Sequence, residues 1–228
     1  MLDVQRVEKK YPINVIDMET LKERLGVALE KDSHNGESGY IVRSVYFDSY
    51  ENKDYYAKTD GLDNRKKIRM RIYAPSDLSV KLEVKEKFNG RQRKRSISIS
   101  RAEAELMLHG DYEFLLTMDN PLAKTLYFYM KKEVYRPKCI VEYDRFAFIH
   151  QSNDIRVTFD QNLRCSCDFA HFLSNDIVWI PAEDRSKITM EVKYNHFLLS
   201  AVKNAVSNRT MLEVSNSKYC KAREKLGI

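Results

Sequence analysis

The chain has 228 residues, 43% hydrophobic and 32% charged, with 39 Lys and Arg against 33 Asp and Glu; its formal net charge is +6 and its pI is near 9.0. Enough of it is apolar to build a core, which excludes wholesale disorder, and no run of about 18 apolar residues offers a transmembrane helix. The opening MLDVQRVEKK lacks the apolar h-region of a secretory signal, so a cytoplasmic chain is expected, and one domain over residues 1–228 suits this length.

Period-2 alternation predicts strands at Val7–Ile13, Ile68–Tyr73, Val80–Lys87, Ile155–Asp160 and Ile188–Tyr194, each with one polar and one apolar face. Arg43–Asp48, Arg95–Ser100 and the less strict Ile140–Phe148 add three more, and Asn89-Gly90 is a hairpin turn signal. Helices fill the gaps. Asp17 is the expected N-cap of a helix from Met18 to about Glu30, on the stripe Leu21, Leu25 and Leu29. Ser100 with Glu103 forms a capping box before Ala102–His109. Pro121 suits the first turn of a helix reaching Val134, and His196–Val206 and Ser217–Leu226 read as two later helices. Phe114, Phe128, Phe146, Phe148 and Phe159 fall at positions expected to pack. The four cysteines read as reduced thiols; Cys165-x-Cys167 has no second pair at zinc spacing, and the five histidines show no ligand spacing.

The charge is concentrated. From Arg65 to Arg101 there are thirteen basic residues against Asp77, Glu83 and Glu86, a net +10, so the rest of the chain carries −4. On the polar strand faces a Glu precedes a Lys by two residues three times, at Glu8-x-Lys10, Glu83-x-Lys85 and Glu191-x-Lys193. Alternation alone admits two readings of these faces. One is an exposed sheet laced with cross-strand salt bridges. The other is an α+β fold in which a closed β-barrel turns them inward, with helices packed on the apolar outside. A cation-lined lumen focuses field on a phosphate chain, and its few acids suit a hard divalent ion.

The ordered motifs resemble a known family. Arg6-Val-Glu8-Lys-Lys10-Tyr11 is similar to the R-x-E-x-K-Y opening of VTC domains, the polyphosphate polymerase branch of the triphosphate tunnel metalloenzymes (CYTH superfamily). The series continues through Val45-Tyr46-Phe47-Asp48, Arg69-Met-Arg71-Ile-Tyr73, Leu82-Glu83-Val84-Lys85-Glu86-Lys87 and Tyr143-Asp-Arg145. It ends with Arg156-Val-Thr-Phe-Asp160, Met190-Glu191-Val192-Lys193 and Ser217-Lys218-Tyr219. No single motif is specific; the order is.

The resemblance implies a closed antiparallel eight-stranded β-barrel, a tunnel that binds triphosphates with Mn²⁺ or Mg²⁺. By motif position Lys10, Arg69, Arg71, Lys85, Arg145, Arg156 and Lys218 are the implied phosphate-contacting catalytic set. Lys81, Lys87, Arg95, Lys193, Tyr143 and Ser217 are implied substrate-binding residues, Ser217 at a helix N-terminus that itself favours anions. Glu191 is the implied metal ligand, with Glu8 assisting. Superfamily members opening with E-x-E-x-K carry an acid where this chain has Arg6, a departure that favours polymerisation over hydrolysis. The implied reaction passes the terminal phosphate of ATP to a growing polyphosphate. Hydrolysis of a triphosphate and non-catalytic polyphosphate binding are the alternatives. The implied partners are ATP and inorganic polyphosphate or triphosphate, with room for a membrane partner protein. Nucleic acid ranks low, because Glu8, Glu83 and Glu191 on the same faces repel its backbone.

Overall fold

The computed structural model describes residues 6–89, 91–207 and 211–228, with the side chain of Arg6 excepted. In chain order the elements are β1 (Arg6–Ile13), α1 (Val15–Gly26), β2 (Glu30–Lys31), β3 (Tyr40–Asp48), α2 (Lys53–Thr59), β4 (Arg65–Ile72), β5 (Ser79–Phe88) and β6 (Arg91–Ser100). There follow α3 (Arg101–Leu108), α4 (Phe114–Thr117), α5 (Pro121–Lys132), β7 (Arg136–His150), β8 (Ile155–Ser166), β9 (Ile180–Pro181), β10 (Ile188–Asn195), α6 (Ser200–Val206) and α7 (Lys218–Leu226). All eight strands expected from alternation form. Gly90 of the expected turn lies outside the described residues; Phe88 and Arg91 pair across it. Among the described residues no helix is long and apolar enough to cross a membrane.

The sheet order is β1-β10-β8-β7-β3-β4-β5-β6, with β2 on β7 and β9 on β8. This corrects the expected closed eight-stranded barrel. The hydrogen-bonded path ends at β1 and β6, and no pairing between them is present among the described residues. Alternation dictates which face of a strand is polar, but a sheet closes only when its edge strands meet in register.

The chain divides into two compact units, each drawing on three stretches of sequence. The first holds residues 1–41, 143–163 and 183–217; the second holds 42–142, 164–182 and 218–228. In the first, Ile155, Val157, Phe159, Ile188, Met190 and Val192 form the apolar strand face, and Met18, Leu21 and Leu25 of α1 cover it. In the second, Ile68, Met70, Ile72, Val80, Leu82, Val84, Ile97 and Ile99 do the same under Ala104, Met107, Leu122, Leu126 and Met130 of α3 and α5. Phe146, Phe148 and Phe159 are buried as expected and Phe114 partly so. Phe128 is 62% exposed, because it sits on the outer side of α5.

Local chemistry sets the helix ends. The Ser100–Glu103 capping box forms, with Glu103 N donating to Ser100 Oγ at 3.2 Å and Ser100 N to Glu103 Oε2 at 2.7 Å. Such caps contribute about 1 kcal/mol. The N-cap of α1 is Asn14, not Asp17: Asn14 Oδ1 accepts from Asp17 N at 2.8 Å, and Asp17 falls in the first turn. The same helix stops at Gly26, so Glu30 joins β2 instead. The expected helix from His196 begins only at Ser200, since His196 has φ 57°, outside helical backbone. One helix escaped the alternation reading. Asn52 at the N-cap of α2 is left-handed and offers no side-chain cap; Asp48, at the end of β3, caps it from a distance. Its carboxylate accepts from Asp54 N and Tyr55 N at 2.9 Å each.

Candidate functional site

In the second unit, register builds one continuous polar face. Arg65, Lys67, Arg69 and Arg71 of β4 stand opposite Lys87, Lys85, Glu83 and Lys81 of β5, which in turn face Gln92, Lys94, Ser96 and Ser98 of β6. Tyr46 and Ser44 of β3 extend the rows of Arg69 and Arg71. The centre of this face is Glu83, buried, with three cations on it. Arg69 Nε donates to Glu83 Oε2 at 2.7 Å, Lys94 Nζ lies 2.6 Å from Oε1, and Arg71 Nε lies 3.8 Å from Oε2. Burial alone would raise the Glu83 carboxyl, but Arg69, Arg71 and Lys94 outweigh it and hold the group down at about 2. Arg71 is itself buried, and its Nε has no hydrogen-bond partner. An orphaned buried guanidinium donor is costly unless an acceptor arrives. Lys85 and Lys87 are half-buried on the same face, Lys87 in contact with Asp63 at 2.6 Å; Lys81 is exposed and donates to Ser98 Oγ at 2.6 Å.

Arg95 does not join this face. It pairs in register with Val84, on the side that carries Ile97 and Ile99, and its guanidinium holds Glu86 at 3.0 and 3.1 Å. The residue that reaches the polar face from β6 is Lys94. The sequence contained the signal: Arg95, Ile97 and Ile99 share one parity, while Lys94, Ser96 and Ser98 share the other.

A second layer holds α7 and β3 together in this unit. Tyr219 Oη donates to Asp48 Oδ2 at 2.7 Å, and its ring stacks on Tyr46 with centroids 5.0 Å apart. Tyr46 Oη accepts from Arg69 at 3.0 Å. Burial pushes the Tyr219 phenol up, and Asp48 pushes it further. Lys218, the first residue of α7, is therefore placed by the residue after it, and Ser217 precedes the helix. Nearby, Tyr135 donates to buried Asp54 at 2.8 Å, with Lys66 at 3.5 Å. Burial and the neighbouring Asp48 raise Asp54 to about 7 against the pull of Lys66.

The first unit has a different polar face. Glu8 stands opposite Lys193, Lys10 opposite Glu191, and Glu191 and Lys193 opposite Thr158 and Arg156. Glu191 is buried, with Lys193 Nζ at 2.9 Å and Arg145 at 3.8 Å. Glu8 holds Lys10 at 3.2 Å. Lys10 Nζ also donates to the Asn216 carbonyl at 3.2 Å. Burial would raise Glu191, yet Lys193 and Lys10 take it well below the usual carboxylate range. Burial lowers Lys193 to about 8, partly offset by Glu191 and Glu8.

Both arginines of this face are held by acids. Arg145 forms a bidentate pair with Asp160 at 2.7 and 2.8 Å and lies over the Tyr143 ring, 5.2 Å from its centroid. Arg156 meets Asp32 at 2.7 Å and donates to Tyr40 Oη at 2.8 Å, leaving its buried Nε without a partner. Sequence reasoning found neither Asp32 nor the pairing role of Asp160, because loop and strand partners distant in sequence meet only in the fold.

Among the described residues no group of three or more His, Cys, Asp or Glu side chains stands in metal-binding arrangement. The Glu8–Glu191 pair nevertheless offers the donors a small hard ion takes from a protein, one or two carboxylates, with phosphate oxygens completing its shell. Lys10 and Lys193 are the cations paired with those carboxylates here.

A family model for the VTC domain matches residues 5–227. The sequence matches none of the curated proteins. Among solved structures, the fold resembles HpAC1 of Hippeastrum, described as an adenylyl cyclase candidate with a dominant triphosphatase activity. The identity is 10%, with 96% of each chain covered and a TM-score of 0.57. An adenylate cyclase candidate from Bacillus halodurans is 11% identical over 88% of this chain and 83% of its own, with a TM-score of 0.49.

Proposed function

The chain belongs to the VTC domain family of the triphosphate tunnel superfamily, and from that premise we propose that it is a polyphosphate polymerase that uses ATP. In this reaction the bond between the γ-phosphorus of ATP and the oxygen bridging it to the β-phosphate breaks. A terminal oxygen of the polyphosphate chain bonds to that phosphorus, and ADP leaves. Phosphoryl transfer asks the protein mainly for positioning and charge neutralisation. The observation that carries the reading is the polar face of β4, β5 and β6. Among the described strand positions it supplies Arg65, Lys67, Arg69, Arg71, Lys81, Lys85, Lys87 and Lys94 against Glu83, with Asp63 of the preceding loop on Lys87. Such a surface suits a polyanion and ill suits a neutral substrate.

Arg69 and Arg71 bind phosphate oxygens as planar forks and fix the chain's direction, while Lys85 and Lys94 act as point charges. In the first unit Lys10, Lys193, Arg145 and Arg156 would contact phosphate, Tyr143 orienting Arg145 through its ring, and in the second Lys218 would do so. Glu191 and Glu8 would hold Mn²⁺ or Mg²⁺, which when bound neutralises charge on the transferred phosphate. The reading keeps the chain in the cytoplasm, where ATP is supplied.

Hydrolysis of triphosphate is the second reading, favoured by the activity described for the Hippeastrum protein, which shares the fold. Against it stands Arg6, two residues before Glu8, where an additional acid would strengthen a metal site. Incubating the purified full chain with ATP and Mn²⁺ separates the two. Long polyphosphate on a gel is the expected product, and free phosphate without polymer overturns the polymerase reading.

A further inference from the structure

The three Glu-x-Lys pairs do not behave alike. Glu8 binds its own Lys10, and Glu191 its own Lys193. Glu83 gathers Arg69 and Arg71 of the strand on one side and Lys94 of the strand on the other. Glu8 and Glu191 lie on adjacent strands, Glu8 opposite Lys193 and Glu191 opposite Lys10. Glu83 is surrounded by cations, which would repel a divalent ion. It is buried, so its charge is little screened, and it lies where the positive charges of β4 and β6 converge.

We propose that Glu83 is a built-in competitor for phosphate, a positioning residue that aligns Arg69, Arg71 and Lys94 while the face is empty and weakens their grip on the bound polyanion so that it can advance and leave. The inference rests on the polyphosphate reading above and deepens it. Three cations confined on one face repel each other and would scatter without a counter-ion; a fixed carboxylate gathers them. Lys94 has half its side chain exposed, so it is free to swing between Glu83 and an arriving phosphate. Arg71 keeps its Nε unsatisfied beside the carboxylate, a donor already desolvated for an incoming oxygen. The same carboxylate then repels that oxygen. An enzyme that must pass one polymer along its own surface gains from such a limit, because uniform tight binding slows release without helping chemistry.

Titration calorimetry of tripolyphosphate into the full chain, with steady-state turnover of ATP, tests this. Glu83→Gln is expected to bind tripolyphosphate tighter, on the order of tenfold, while turnover falls. A residue that only stabilised the fold would lose affinity together with turnover. Equal or weaker binding by a folded Glu83→Gln therefore overturns the inference and leaves the polyphosphate reading standing. No binding by the wild-type chain overturns both. Should Glu83→Gln fail to fold by circular dichroism, the substitution is made in Lys94→Gln, where one fewer cation needs a counter-ion. There Glu83→Gln must again tighten binding relative to Lys94→Gln alone, and failure to do so overturns the inference.

Discussion

The two polar faces share one sequence pattern and differ in chemistry. In the first unit, Glu8, Glu191, Asp160 and Asp32 meet Lys10, Lys193, Arg145 and Arg156, and every cation has a carboxylate within 3.2 Å. In the second, eight cations share the polar strand face with Glu83, which holds Arg69, Arg71 and Lys94, while Lys87 pairs with Asp63 of the loop before β4. Alternating Lys, Arg and Glu thus yields one region in which each of these cations is paired with a carboxylate, and another in which cations outnumber the strand carboxylates. What separates them is which strand stands next to which, not the local motif.

The largest expected effect tests the carboxylate-paired region. Glu191→Gln should lower ATP turnover by at least about 100-fold while tripolyphosphate affinity changes by less than tenfold. Parallel losses in both would erase the distinction between the faces. Next, Arg71→Met should raise the tripolyphosphate Kd on the order of tenfold and flatten its salt dependence, read by calorimetry across a salt series. An unchanged Kd would remove the cationic face from the site.

A smaller effect is set by pH. Lys193 carries its charge below about 8, so phosphate affinity should fall as pH rises through that value. Lys193→Arg should abolish this step, because a guanidinium stays protonated. Between about 8 and the usual lysine range the unfolded chain binds the extra proton, so stability over that window should rise as affinity falls. The smallest change concerns Asp54. Its folded pKa of about 7 lies above the ordinary carboxylate value, so the protonated form is favoured in the fold. Stability from this group is present below about pH 4 and is lost as pH rises through about 7. Thermal melts should show a decline of a few degrees over that range, and Asp54→Asn should flatten it.

Much of this was legible in the residues. Period-2 alternation placed Arg69, Arg71, Lys81, Glu83, Lys85 and Lys87 on shared faces, since a strand's side chains alternate whatever its neighbours. Careful parity would also have chosen Lys94 over Arg95. Alternation was silent on α2, whose cap comes from Asp48, and on the pairing of Tyr219 with Asp48 across 171 residues.

The sequence by itself determined the strand faces, the basic concentration between Arg65 and Arg101, and the family. The first two depend on composition and short-range periodicity, the family on the resemblance of an ordered series of motifs along the chain. Only the tertiary structure decided that among the described residues β1 and β6 are the ends of the sheet path, that Arg145 and Arg156 are clasped by Asp160 and Asp32, and that Glu83 gathers Arg69, Arg71 and Lys94. Those outcomes depend on strand order and register, which bring together residues that no local pattern relates.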